Sequence, residues 1–153
     1  MPQTITLPDG YGYVALIALG LTPILSFVQG IVVTSFRKAA GVPYPNAYAT
    51  PQQMKATPAA YHFNCAQRAH ANLLENMPQT ILSMLFSGLV HPRAATWLGG
   101  FWLACRVLYA LGYVKGSGDD EKGKGKGRMI GGGFWLAQFA LIGLSIYVAV
   151  GLF

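Results

Sequence analysis

A long stretch without any charged residue, near the start of the chain, limits the folds that this sequence can adopt. Residues 12–36 contain YVALIALGLTPILSFVQGIVVTSF, and a helix of that length can cross a hydrocarbon core about 30 Å thick. Pro23 is expected to kink this helix, which neighbouring membrane helices can accommodate. The first ten residues lack the basic region of a cleavable signal peptide, so we expect the helix to remain as a membrane anchor.

The composition agrees with a membrane protein. Hydrophobic residues make up 53% of the 153 positions and charged residues only 10%, whereas soluble proteins carry about 25% charged residues. The net charge of +6 is compatible with nucleic-acid binding, but the basic residues are divided among short loops between apolar segments. That distribution is typical of cytoplasmic loops, so we expect no nucleic-acid partner.

Three more apolar segments predict three more helices. The four predicted helices cover residues 12–36, 59–90, 93–114 and 129–153. Four prolines in residues 37–58 exclude a continuous helix there, and the short turn at His91 and Pro92 makes the second and third helices antiparallel neighbours. Residues 115–128 form a glycine-rich, charged loop. We therefore predict an all-α integral membrane protein with a single four-helix transmembrane domain over residues 1–153.

The basic residues of the loops predict which side of the membrane each loop faces. Loops 37–58 and 115–128 hold most of them: Arg37, Lys38, Lys55, Lys115, Lys122, Lys124, Lys126 and Arg128. Cytosolic loops carry an excess of lysine and arginine, so we expect both loops in the cytosol and both termini on the other side. An even number of membrane spans fits this orientation.

Two of the predicted helices carry polar residues at helical spacing. On the second helix these are Arg68, Asn72, Glu75 and Gln79, and on the third they are Arg106, Tyr109 and Tyr113. Each set shares one face, because residues three, four and seven apart lie on the same side of a helix. Ionisable residues inside a membrane usually pair with each other and mark a functional site. The pattern predicts a small charged ligand at the membrane boundary; the alternatives are an Arg–Glu pair that only locks the helices together, and tyrosines of an aromatic belt.

His70 and the two cysteines in the predicted helices give no sign of a further functional site. His70 lies off the polar face, so we expect it to meet a neighbouring helix or subunit. No second histidine or thiolate occurs at ligand spacing from it, and we therefore predict no metal site. Cys65 and Cys105 both fall inside predicted helices and are expected to be buried thiols.

Three segments of the sequence together resemble one known family. They are FNCAQRAHANLLE at 63–75, HPR at 91–93 and RVLYALGY at 106–113. The chain resembles the membrane-associated eicosanoid and glutathione metabolism (MAPEG) family from Arg37 to Tyr113, and more loosely to its end. The resemblance implies a homotrimer in the endoplasmic reticulum membrane, with the outer mitochondrial membrane as the alternative. It also implies glutathione bound between adjacent subunits near the cytosolic boundary, with no metal.

The resemblance assigns glutathione contacts to particular residues. On the second and third helices these are Arg68, Asn72, Glu75, Tyr109 and Tyr113, and Arg106 belongs to the same polar face. Arg37 matches an arginine that the neighbouring subunit contributes, and His70 matches a position that reaches across that interface. The charges suit glutathione: arginines can bind its two carboxylates and Glu75 its ammonium group.

Catalysis in this family needs the thiolate of glutathione, and the resemblance assigns its stabilisation to an arginine at the start of the fourth helix. Arg128 is the best match here. The loop before it is longer than is usual in the family, so Lys124 and Lys126 remain rivals. Asn76 stands where the leukotriene-synthesising branch has a tyrosine, so the substrate preference of that branch does not carry over.

These observations predict a membrane-bound glutathione transferase that also reduces lipid hydroperoxides. Its second substrate is expected to be lipophilic and to enter laterally from the bilayer, between subunits. Two alternatives belong to other classes of protein: a catalytically weak family member that acts as a membrane scaffold or regulator, and a small transporter or channel. A channel is the weaker alternative, because Gln138 is the clearest polar residue on the fourth helix and few others continue the path.

Overall fold

The computed structural model describes residues 6–115 and 126–153. Within these residues the ordered elements are helices and turns, with no β-strand, which confirms the all-α prediction for this part of the chain. Most of the glycine-rich loop, including Lys122 and Lys124, lies outside the described residues.

The first helix, α1 (Tyr11–Ala40), contains an irregular turn just ahead of its proline. Leu16–Leu21 form a π-helical turn, in which the N–H of Thr22 bonds to the carbonyl of Ile17. The hydroxyl of Thr22 donates to the same carbonyl over 2.8 Å. Because proline has no N–H to continue the helical ladder, the irregularity expected at Pro23 takes the form of this wider turn.

The connector after α1 contains a short helix that the prolines did not predict. The helix α2 (Pro51–Ala56) begins with a capping box, in which Thr50 and Gln53 exchange side chain to backbone hydrogen bonds of 2.8 and 3.2 Å. Asn64 on the next helix accepts from the N–H of Ala49 over 2.8 Å and donates to its carbonyl over 2.9 Å. These two bonds fix the connector against that helix.

The two central helices, α3 (Pro58–Gly88) and α4 (Pro92–Lys115), are joined by the short turn 89–91 and pack against each other. Thr57 caps the start of α3 by accepting a hydrogen bond from the N–H of Ala60 over 3.4 Å. Helix α1 also packs against α3, so α3 has neighbours on more than one side.

The last helix begins later than the apolar pattern predicts. A 3₁₀ turn at Lys126–Gly131 comes first, and α5 (Phe134–Val150) starts after it rather than near residue 129. A Cβ atom on Gly131 would collide with the backbone of Cys105 and Tyr109 on α4. Gly131 therefore allows the 3₁₀ turn to lie directly on the backbone of α4.

Three helical segments of the described part are long and apolar enough to cross a membrane. They are Tyr11–Ala40, Pro92–Lys115, and the 3₁₀ turn taken together with α5, Lys126–Val150. Helix α3 is not among them, because polar residues follow one another along its first half. The chain is thus an all-helical protein with apolar spans, and a fourth span formed by α3 stays a prediction.

Candidate functional site

Two charged side chains of α3 form an ion pair on the surface of the bundle. Nη1 of Arg68 donates to Oε1 of Glu75 over 2.6 Å, and Nη2 donates to Oε2 over 3.3 Å. The two side chains are 44% and 52% exposed. An exposed ion pair is worth at most about 1 kcal/mol, so this pair can open at little cost when another charged group approaches.

Asn72 connects this pair to the neighbouring helix. Its Nδ2 atom lies 3.5 Å from Oε2 of Glu75, and its Oδ1 atom accepts a 2.8 Å hydrogen bond from Nη1 of Arg106 on α4. The polar faces predicted separately for the second and third helices therefore meet, and Asn72 is the residue through which they touch.

Arg106 is a buried cation held by aromatic rings. Its side chain is 1% exposed, and its guanidinium carbon lies 4.3 Å from the ring centre of Phe134, 5.1 Å from that of Tyr109 and 5.7 Å from that of Trp102. Its Nε and Nη2 atoms have no hydrogen-bond partner among the described residues. The ring faces offset part of the cost of burying the charge, and the positive potential extends to the polar residues above it.

A second set of hydrogen bonds joins three helices beneath the ion pair. Asn76 donates to the carbonyl of Asn72 over 2.8 Å and accepts from Nε2 of Gln138 on α5 over 3.0 Å. Oε1 of Gln138 in turn accepts from the indole N–H of Trp102 on α4 over 3.2 Å. Gln79 contributes only a 3.4 Å contact to Asn76. The polar residue noticed on the last helix is thus part of a buried network that supports Asn72.

A pocket of about 250 Å³ lies beside the ion pair. It brings together three of the predicted residues, Arg68 of α3, Tyr113 of α4 and Arg128 of the 3₁₀ turn. The other lining residues were not predicted: Tyr48, Tyr61, Asn64 and Cys65. Each of the three predicted residues comes from a different element, so the pocket exists only because the helices pack in this way.

The predicted thiolate partner lies at the edge of this pocket. The guanidinium carbon of Arg128 is 5.7 Å from the ring centre of Tyr113, whose ring is 5.6 Å from that of Tyr109. Arg128 belongs to the 3₁₀ turn that precedes α5, and not to the first turn of α5 itself. Of its two rivals, Lys126 starts the same turn, and Lys124 lies outside the described residues.

Two predicted residues lie away from this pocket within the single chain. Arg37 donates to the carbonyl of Asn46 over 2.6 Å, and its guanidinium carbon lies 4.4 Å from the ring centre of Tyr44 and 4.6 Å from that of Phe63. It therefore holds the connector against α1 and α3.

His70 is the second of these residues and faces α1. Its Nε2 atom is the nearest neighbour that a side chain at Gly30 would meet, at 4.0 Å. Its Nδ1 atom is buried and has no hydrogen-bond partner among the described residues. In residues 6–115 and 126–153, no three histidine, cysteine or acidic side chains come together in a way that could hold a metal ion.

Two of the unpredicted lining residues can be recognised from their spacing along α3. Tyr61 and Asn64 precede Arg68 by seven and four positions, so they extend the polar face of α3 toward its start. No sequence signal identifies Tyr48, because it lies in the connector and reaches the pocket only through the way that segment folds over α3.

The comparison with known families is consistent with this arrangement. The model of the MAPEG family matches residues 15–147, which include every element that contributes to the pocket.

Proposed function

Because the chain belongs to the MAPEG family, we propose that it is a membrane-bound glutathione transferase that also reduces lipid hydroperoxides with glutathione. Within the family we place it in the branch of microsomal glutathione S-transferase 3, on the strength of the segments at 63–75 and 106–113. Its biological task is then the detoxification of lipophilic electrophiles and peroxides. We assign the endoplasmic reticulum as its membrane, with the outer mitochondrial membrane as the alternative.

The observation that carries the proposal is the meeting of Arg68, Tyr113 and Arg128 around one pocket. A tripeptide with two carboxylates, one ammonium group and a thiol needs cationic, anionic and thiolate-stabilising partners within a few ångströms of each other. The pocket and the ion pair beside it supply all three types of group.

Binding of glutathione would replace the ion pair of the empty site. A carboxylate of the ligand takes the place of Glu75 on the guanidinium of Arg68, and the ligand's ammonium group takes the place of Arg68 on Glu75. Since both side chains are about half exposed, breaking their mutual contact costs little, and two charge-assisted contacts are gained. Asn72, held by Arg106 and Asn76, would orient the ligand between them.

The thiol of the bound ligand would lie near Arg128 and Tyr113. A free cysteine thiol has a pKa near 8.5, and the thiolate is the nucleophile. A guanidinium nearby favours the charged form and lowers that pKa, so more thiolate is present at neutral pH.

The chemistry follows from this thiolate. In conjugation, the sulfur forms a bond to an electrophilic carbon, and the leaving group departs with its electron pair or, in an addition, the adjacent atom takes a proton. In peroxide reduction, the thiolate attacks one oxygen of a hydroperoxide, the O–O bond breaks, and the other oxygen leaves as an alcohol after taking a proton. The sulfenic acid of glutathione then reacts with a second glutathione to give the disulfide and water.

The second substrate would reach the thiolate from the lipid. An almost wholly apolar groove of about 310 Å³ runs between α1, α3 and α4. Its lining includes Leu25, Val28, Val32, Ala69, Val107 and Leu111. This groove supports lateral entry of a lipophilic molecule from the bilayer.

We also propose that the complete site needs a second subunit of a homotrimer. The 250 Å³ pocket is smaller than the roughly 300–1,000 Å³ of typical ligand sites, which supports completion by a neighbouring chain. Arg37 and His70 do not line the pocket of their own chain, and the proposal places them in the site of a neighbouring subunit. The basic residues of the connector and of the 3₁₀ turn support a site that faces the cytosol.

Calorimetry of glutathione binding to the detergent-purified protein tests this function. The proposal predicts saturable binding together with conjugation of a lipophilic chlorodinitrobenzene and reduction of a lipid hydroperoxide. Binding without either activity would favour the scaffold, and the absence of binding would contradict the transferase. Passage of ions or solutes through proteoliposomes would favour the channel.

A further inference from the structure

The end of the bundle opposite the glutathione pocket carries a second hollow, whose lining is mostly apolar and includes two charged side chains. Here α1 and α4 both begin, and a cavity of about 450 Å³ lies between their first turns. Its lining consists of Asp9, Gly10, Tyr13, Arg93, Thr96 and Trp97. A neighbouring hollow of about 370 Å³ shares Asp9 and Arg93 with it, so these two side chains form the wall between two open spaces.

Asp9 and Arg93 are opposite charges that do not neutralise each other. Both residues are exposed, and neither forms an ion pair with any residue in 6–115 or 126–153. Two unpaired charges of opposite sign beside one cavity can each bind one end of a zwitterion. A ligand with charge of only one sign would be attracted by one of these side chains and repelled by the other.

Aromatic side chains locate this cavity at the membrane surface. Tyr13 is 64% exposed and Trp97 is 81% exposed, and both line the cavity. Tyrosine and tryptophan with exposed rings are enriched at the level of lipid headgroups. Trp97 lies four residues after Arg93 on α4, and therefore about 6 Å deeper along the helix. The arrangement places charge outermost and aromatic surface toward the acyl chains.

We propose that this cavity binds the headgroup of a zwitterionic phospholipid with a primary ammonium group, a phosphoethanolamine lipid. Arg93 donates to the phosphate, because a guanidinium matches phosphate oxygens with two hydrogen bonds. Asp9 accepts hydrogen bonds from the ammonium group, which a choline headgroup cannot donate because its nitrogen carries no hydrogen. Tyr13 and Trp97 pack against the glycerol and the first carbons of the acyl chains.

Native mass spectrometry of the detergent-purified protein tests the proposal, with three lipids of identical acyl chains and different headgroups. The proposal predicts that phosphatidylethanolamine binds more tightly than phosphatidylcholine and phosphatidylglycerol. Arg93→Gln should weaken binding of phosphatidylethanolamine about fivefold, the effect of about 1 kcal/mol for one basic residue near a lipid surface.

Asp9→Asn separates the proposed geometry from general attraction to lipid. Without the carboxylate, Arg93 should favour the anionic phosphatidylglycerol. Phosphatidylglycerol should then bind more tightly than phosphatidylethanolamine, which reverses their order in the unmodified protein. Lys55→Gln is the matched control at the other end of the bundle and should change neither affinity. Circular dichroism confirms that the variants remain helical.

Three results would overturn the proposal. The first is equal binding of all three lipids, and the second is either an unchanged lipid order in Asp9→Asn or undiminished binding of phosphatidylethanolamine in Arg93→Gln. The third is displacement of the lipid by soluble phosphoethanolamine at similar concentration, which would assign the cavity to a water-soluble ligand.

Discussion

Nη1 of Arg106 on α4 donates a 2.8 Å hydrogen bond to Oδ1 of Asn72 on α3. The two residues lie 34 positions apart in the sequence, and their contact joins the polar faces of the two helices. Arg106 is buried and Asn72 lies beside the exposed ion pair of Arg68 and Glu75. A change at the surface of the site is therefore linked through one asparagine to a cation in the interior of the bundle.

The ion pair provides the first prediction. Arg68→Ala and Glu75→Ala should each weaken glutathione binding about 10–150-fold, because each removes one charge-assisted contact that the bound ligand would shield from solvent. Lys55→Ala is the control for loss of an exposed basic residue, and calorimetry is the measurement. If both site variants stay folded and bind like the unmodified protein, glutathione does not occupy this site.

The ion pair also shows how far spacing predicts the site. Residues 68, 72 and 75 share a face of one helix, so local periodicity is enough to bring Arg68, Asn72 and Glu75 together, and the structure shows them in contact. The contact of Asn72 with Arg106 needs two helices to pack with one particular register. Periodicity gives the face of each helix and does not give that register.

The remaining differences also come from tertiary packing. The apolar pattern runs through residues 129–153, but α5 begins at Phe134, since the glycines before it allow a 3₁₀ turn to lie against α4. Arg37 follows an apolar helix like an ordinary flanking charge, yet it is 8% exposed, because the connector folds over it. The burial of Arg37 is not encoded in the residues next to it in sequence, and the effect of the glycines before Phe134 depends on the backbone of α4 that packs against them.

The buried network provides a prediction about stability. Gln138→Leu leaves the indole N–H of Trp102 without its acceptor and leaves Oδ1 of Asn76 without the hydrogen bond from Gln138. Loss of a partner for a buried polar group lowers the free energy of unfolding by about 1–3 kcal/mol. We expect a clear fall in the thermal unfolding midpoint in detergent. Gln79→Leu is the control, because Gln79 is exposed and makes one long contact. Equal midpoints for the two variants would show that the network adds no stability.

A close backbone contact provides a prediction about Arg128. A methyl group at Gly112 would collide with the carbonyl of Gly127, the residue just before Arg128, so Gly112→Ala must displace the 3₁₀ turn. Since a shift of about 1 Å can cost on the order of 100-fold in rate, we expect turnover to fall by that order. Gly143→Ala adds the same methyl group in open space and should leave turnover unchanged. Normal turnover in folded Gly112→Ala protein would show that catalysis does not depend on the position of the 3₁₀ turn.

The proposed shared site provides a prediction about assembly. Arg37→Ala and Arg68→Ala homotrimers should each have low activity, whereas trimers that mix the two variants should regain part of it. In these trimers some sites combine the Arg37 of an Arg68→Ala subunit with the Arg68 of an Arg37→Ala subunit. Differently tagged subunits purified in two steps give the mixed trimers. Failure of verified mixed trimers to recover any activity would contradict a site that two chains share.

The proposed activity requires the protein to stabilise the thiolate of bound glutathione, and an ultraviolet titration of thiolate absorbance against pH measures that stabilisation. In the unmodified protein, the pKa of the bound thiol should lie clearly below the free value of about 8.5. Thiolate should therefore persist at neutral pH and disappear only as the pH falls through the lowered value.

Arg128→Ala decides which residue is responsible. It should raise the pKa of the bound thiol toward about 8.5 and lower turnover far more than glutathione affinity, because most binding contacts come from other residues. If Lys126→Ala or Lys124→Ala raises the pKa of the bound thiol and Arg128→Ala leaves it unchanged, the residue that stabilises the thiolate is a loop lysine. If the thiol of bound glutathione titrates near 8.5 in the unmodified protein, the protein does not stabilise the thiolate.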